Sequence, residues 1–284
     1  MASLKEIKAR ISSVRSTLKI TQAMKMVASA KLRKAQKMVA GLDAYKDALN
    51  DILSRLNHRL ASSPLAAQPD TDGKVAIVVF SSNTSLCGSY NSNIFKALLA
   101  RISDIESSAS EVLVYPVGEK VAKMARKGGC EVCPDFVSAG DALSYADMAA
   151  MAQFFVDEFL AGRLARVELL YMHYHSAARQ SVSNPVWLPI SVAAGAADDM
   201  PDDVIVEPSE AEVVERLLPL AMRTDMYATL LSSNASENAC RMIAMQTASD
   251  NAQDLLQQLQ LTYNKQRQQD ITEELTDISN GKLA

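Results

Sequence analysis

The sequence predicts an α/β protein in which the N- and C-terminal segments form a long antiparallel coiled coil around an inserted α/β domain. Three observations predict it. An apolar 3-4 repeat runs through residues 1–60, strand-like and helix-like patterns alternate over 74–192, and a second helical seam of matching length fills 209–284.

The first helix rests on Leu4, Ile7, Ile11, Val14, Leu18, Thr21, Lys25, Ala28, Leu32, Ala35, Val39, Leu42, Lys46, Leu49, Leu53, Leu56 and Leu60. These positions alternate spacings of three and four without a slip, and fourteen of the seventeen are apolar. No Pro precedes Pro64, and the only Gly is Gly41. Such a repeat keeps one seam facing a partner helix, because the coiled-coil period is 3.5 residues per turn. At 1.5 Å per residue the helix spans roughly 85–90 Å. A compact chain of this length has a radius of gyration of only about 19 Å. The helix must therefore project from its own globule, and it needs a mate.

Residues 61–74 carry two Pro, one Gly and turn-forming Asp and Ser, and read as a linker. Then the pattern changes. Strands are predicted at 75–80, 112–117, 130–136, 167–175 and 181–190, the last limited to an edge by Pro185. Helices are predicted at about 93–105, 119–127 and 145–164. Strand alternating with helix argues for a mainly parallel, Rossmann-like sheet with helices on its faces. Residues 193–208 read as an acidic, Pro-bearing loop. Ser209 and Glu212 fit a capping box that opens the last helix, with a kink or restart expected at Pro219. The second seam follows Leu231, Ala235, Asn238, Met242, Met245, Ser249, Ala252, Leu256, Leu259 and Tyr263, and shifts phase before Ile271, Leu275 and Ile278. Two long helices at opposite ends of the chain make each other's natural partners.

Charge is unevenly distributed. The chain of 284 residues has a net charge of −4, yet residues 1–40 hold ten Lys or Arg against the single acid Glu6. A basic arm on an otherwise acidic protein calls for an acidic partner. Nucleic acid is disfavoured, because basic-region readers separate their cations from the zipper and here the two coincide. A protein sleeve fits better. The four cysteines form no disulfide framework. No secretory signal, transit-type extension or run of eighteen apolar residues is evident, so a reducing bacterial cytoplasm is the expected compartment.

Candidate chemistry is thin. The turn Ser82–Asn91 follows a strand and precedes a helix, where phosphate loops occur, but it has one Gly and no Gly-Lys-Ser/Thr. Cys130 and Cys133 have redox or zinc spacing without a second pair, and in a strand they would face opposite sides. His173 and His175 would share a face but lack an evident third ligand. Cys87 has no identifiable base. No enzyme site emerges.

The segments Ile7–Ile11 (IKARI) and Thr21–Leu32 (TQAMKMVASAKL) closely resemble the start of the gamma subunits of F-type ATP synthases. Ala244–Ala252 (AMQTASDNA), Tyr263–Gln268 (YNKQRQ) and Ile271–Leu275 (ITEEL) resemble their end, and Leu86–Asn91 (LCGSYN) resembles their turn after the first strand. The likeness covers the whole chain in order. It departs at Asn83-Thr84-Ser85, where the family usually has Asp-Arg-Gly, at Gln246, where it has Lys, and at Lys282, where it has Ala. The resemblance implies a rotor shaft inside a ring of alpha and beta subunits. The inserted domain would meet the epsilon subunit and the c-subunit ring, on the cytoplasmic face of the bacterial inner membrane. It implies no catalytic residue, cofactor or metal in this chain, with membrane contact only through the ring. By position, Arg267, Gln268, Thr272 and Glu274 are similar to family residues at or near the beta-subunit loops, and Met24, Lys25 and Arg241 to residues of the coupling region. A non-rotary coiled-coil scaffold is the alternative.

Overall fold

The computed structural model describes residues 3–67, 73–107, 110–139, 144–191 and 206–281. Most of the loop expected at 193–208 and part of the linker at 61–74 lie outside the described residues. Helix α1 spans Leu4–Arg55, and a short helix α2, Asn57–Leu60, follows it. Between the terminal helices come β1 (Lys74–Phe80), α3 (Tyr90–Glu106), β2 (Val112–Val117), α4 (Glu119–Lys127), α5 (Tyr145–Leu160), β3 (Leu164–Tyr174), β4 (Gln180–Ser183) and β5 (Val186–Leu188). Helix α6, Glu210–Gly281, ends the described chain. Among the described residues no helix is long and apolar enough to cross a membrane.

The chain divides into two compact units. One comprises residues 31–240 and the other residues 1–30 with 241–284, so each long helix belongs to both.

In the unit of residues 31–240, the sheet order is β2-β1-β3-β4, with β5 also pairing β3. β1 pairs parallel with β2 and β3, while β4 and β5 run antiparallel to β3. β1 is buried on both faces, as a β-branched run between helical layers requires. Its side chains alternate. Ala76, Val78 and Phe80 join a core built with α1, α5 and α6, whereas Val75, Ile77 and Val79 join one built with α3 and α4.

Four expectations are corrected. Residues 130–136 do not form a strand: Val132 makes one parallel bridge to Val114, and the chain then turns, with Val137 N–H donating to the Pro134 carbonyl. Pro134 has no N–H to continue a ladder. Helix α5 stops at Leu160 rather than 164, because Gly162 adopts φ 73° and Arg163 N–H closes back on the Glu158 carbonyl. That closure is a Schellman motif, for which glycine is suited. Pro219 causes no restart, and α6 runs through it. Leu218, Ala221 and Met222 beside it are buried in the core, and that packing outweighs the roughly 3 kcal/mol that an interior proline costs. The segment expected as one strand at 181–190 is divided into β4 and β5. Pro185 sits between them, and its carbonyl accepts from Leu169 N–H.

Gly118 is required where it stands. Its φ is 111°, and a Cβ there would meet the Ser81 carbonyl oxygen at 2.3 Å.

Candidate functional site: the two-helix shaft

All seventeen seam positions, fifteen on α1 and then Leu56 and Leu60, are buried or half-buried, while the residues between them are exposed except Met24, Ser29 and Met38 among those described. A 3-4 repeat gives this result when one face packs and the rest is solvated.

In the unit of residues 1–30 and 241–284, the α6 seam is equally ordered, with Met245, Ser249 and Ala252 buried and Leu256, Leu259 and Tyr263 half-buried. Its register is fixed by one buried polar layer. Ser249 Oγ lies 2.8 Å from Thr21 Oγ1 and 2.8 Å from the Met245 carbonyl. Thr21 Oγ1 in turn donates to the Leu18 carbonyl at 3.0 Å, so neither hydroxyl is stranded. Further along, Lys8, Ile11, Ser12 and Arg15 share an open groove with Gln260, Tyr263 and Asn264. Lower numbers on α1 thus meet higher numbers on α6, and the pair is antiparallel.

The candidate residues fall into two groups. Met24 and Lys25 are half-buried on α1, and Arg241 is half-buried on α6. In the register set by Thr21 and Ser249, Arg241 lies level with the residues around Ser29, roughly one helical turn from Lys25. Arg267, Gln268, Thr272 and Glu274 are all exposed, and at 1.5 Å per residue they begin about 39 Å along α6 from Arg241. The Thr272 hydroxyl donates to the Gln268 carbonyl at 2.8 Å. Past this point α6 outruns the start of α1. Ile271, Leu275 and Ile278 are 46%, 62% and 60% exposed and share one face at i, i+4, i+7 spacing.

The cations are deployed outward. In this unit Lys5, Lys8, Arg10, Arg15 and Lys19 are exposed on α1. Among them stand apolar residues that lie off the seam and that sequence reasoning passed over. Ile20, Met26 and Val27 are 59%, 68% and 57% exposed. Their signal was the seven-residue spacing of Ile20 and Val27, one position away from the seam residues Thr21 and Ala28.

The remaining candidates have local structural partners. Cys87 is buried, and its sulfur accepts from Asn91 Nδ2 at 3.2 Å. Cys130 packs with the α3–α4 core and Cys133 with the opposite one. The His173 and His175 rings meet edge to face at 4.6 Å, and His175 Nε2 is 2.8 Å from Ser181 Oγ. Among the described residues no three His, Cys, Asp or Glu are grouped as metal ligands.

A model of the ATP synthase family matches residues 3–284. The chain is 46% identical over 291 residues to the ATP synthase gamma chain of Phocaeicola vulgatus, covering 100% of both. It is 44% identical over 290 residues to that of Parabacteroides distasonis, covering 99% of this chain and 98% of the relative. Among solved structures it resembles a chain of the Euglena gracilis mitochondrial ATP synthase rotor, with TM-score 0.64 and 19% identity over 94% of this chain and 98% of that one, a likeness of fold. It also resembles a chain in the central stalk and c-ring of the Tetrahymena thermophila mitochondrial ATP synthase, with TM-score 0.56 and 26% identity over 81% of this chain and 99% of that one.

Proposed function

The chain belongs to the ATP synthase gamma-chain family, and we propose that it works as the central rotor shaft of an F-type ATP synthase. Residues 1–60 and 209–284 supply the shaft, and residues 74–192 supply the foot. Proton-driven rotation of the c-subunit ring turns the foot, which also meets the epsilon subunit. The shaft turns with it inside the ring of alpha and beta subunits. The chain is non-catalytic, and nucleotide chemistry belongs to the beta subunits. It sits peripherally on the cytoplasmic face of the bacterial inner membrane and touches the membrane only through the ring.

The observation that carries this reading is the antiparallel helix pair, with its closed apolar seam, outward cations and a tip of α6 running on past α1. In physical terms the shaft is a ligand. It can shift a beta subunit between conformations only by contacting them differently. A shaft with unlike sides does so in turn at each of three sites, cycling them through binding, synthesis and release.

In this reading Arg267 and Gln268 face the beta-subunit loops, and the forked Arg267 guanidinium is suited to bidentate pairing with carboxylates. Thr272 and Glu274 support the tip beside them. Met24, Lys25 and Arg241 belong to the coupling region, with Ile20, Met26 and Val27 as neighbouring apolar contacts.

Co-expression with the alpha and beta subunits of the same organism tests the reading. One copy per three alpha–beta pairs, and restored ATP hydrolysis in a gamma-depleted assembly, are the expected results. A chain that stays free, or pairs with itself through the seam, would leave a coiled-coil scaffold as the better account.

A further inference from the structure

Three polar links meet where the long helices pass β3, all within the unit of residues 31–240. Gln36 of α1 donates to the Tyr174 hydroxyl at 2.6 Å. Tyr174 N–H donates to Ser232 Oγ of α6 at 3.0 Å. Lys46 of α1 forms a 2.8 Å ion pair with Asp225 of α6. The links therefore run from α1 to β3, from β3 to α6, and from α6 back to α1.

Lys46 is the informative member. It fills a seam position, where an apolar side chain packs better and a cation sacrifices stability to specify register. Both partners are about a third exposed, so their attraction contributes little to stability. Burial alone would lower the Lys46 pKa, yet the Asp225 charge and hydrogen bond outweigh it and hold the ammonium above its usual value. Tyr171 and Asp43 add to that effect. The charge is thus retained where stability does not call for it. The apolar seam fixes which faces of the two helices meet, and it leaves the choice among the registers that seam allows to polar contacts. A directional ion pair singles out one register.

We propose that the Lys46–Asp225 pair is a register lock that makes α1, α6 and the sheet turn as one body under torque. Lys46 and Asp225 are then positioning residues, acting through the helices rather than on nucleotide. The inference rests on the rotor reading.

The test uses the complete membrane-bound complex in vesicles. ATP hydrolysis and ATP-driven ion uptake are measured on the same preparation, together with thermal unfolding. Lys46→Met should hydrolyse ATP normally and unfold no earlier than the unaltered protein. It should move fewer ions per ATP against a steep gradient than the unaltered complex does. The exchange of Lys46→Asp with Asp225→Lys, and Lys46→Arg alone, should restore uptake. Unchanged uptake in Lys46→Met would overturn the lock while leaving the rotor standing. So would an exchange variant that unfolds normally yet pumps no better than Lys46→Met. If the unaltered chain fails to join the complex, the rotor reading falls and takes the lock with it.

Discussion

Glu168 is the most heavily committed side chain in the sheet. It lies fully buried on β3, and its carboxylate takes both prongs of Arg101, at 2.8 and 2.6 Å, plus the Asn184 amide at 2.7 Å. Burial alone would raise its pKa, but Arg101 and Asn184 outweigh burial and hold it below the usual carboxylate value. Arg101→Leu leaves the buried carboxylate with only the Asn184 amide and Arg166 at 3.6 Å, so it should destabilise the protein by about 3 kcal/mol in denaturant titration. A lowered pKa means that the pair's stabilisation is present above pH 4.5 and is lost as pH falls through the folded value. His173 acts in the same sense at higher pH. Burial, His175 and Lys46 lower its pKa against the pull of Asp43, so the folded state resists protonation there. Stability should fall as pH drops below about 6.5, and unfolding curves of His173→Gln should lose that part of the slope.

Among the elements, α1 was the most legible, because every one of its seam positions is buried or half-buried. A strict repeat leaves a helix one way to pack. Boundaries fared worse where backbone chemistry competed with pattern. Pro134 ended a strand that its apolar neighbours suggested, Gly162 shortened α5, and core packing carried α6 through Pro219. Pairings between distant residues were not legible. Sequence order names Thr21 and Ser249 as seam residues but does not say that their hydroxyls meet, nor which carboxylate of α6 faces Lys46. The candidate site divides in the same way, with exposure of the tip following from its broken seam phase and the residue roles resting on family likeness. The Thr21–Ser249 layer makes its own prediction. Ser249→Ala should cost about 1 kcal/mol, and adding Thr21→Val should recover most of it, as replacing both partners of a buried hydrogen bond usually does. Thermal unfolding of the two variants checks this.

For the whole molecule, the sheet unit and the helix pair do different physical work. The sheet unit is stiffened by two cores and by polar links to both helices, which suits a body that receives torque. The helix pair presents cations and isolated apolar side chains outward, which suits a surface that makes different contacts as it turns. The foot should therefore tolerate changes on its solvent face that the shaft does not. Arg267→Ala and Gln268→Ala should lower ATP hydrolysis by the assembled complex severalfold, with little change in the chain's unfolding, since both side chains are exposed.

The central claim is rotation, and it can be watched. The alpha–beta assembly is immobilised with this chain at its centre, a probe is attached to the exposed Lys123 position of α4 as Lys123→Cys in a chain whose own accessible cysteines are replaced, and ATP is added. The account predicts continuous rotation in one direction with three dwells per turn, one for each catalytic site. A probe that stays still while ATP is hydrolysed at the full rate would contradict it.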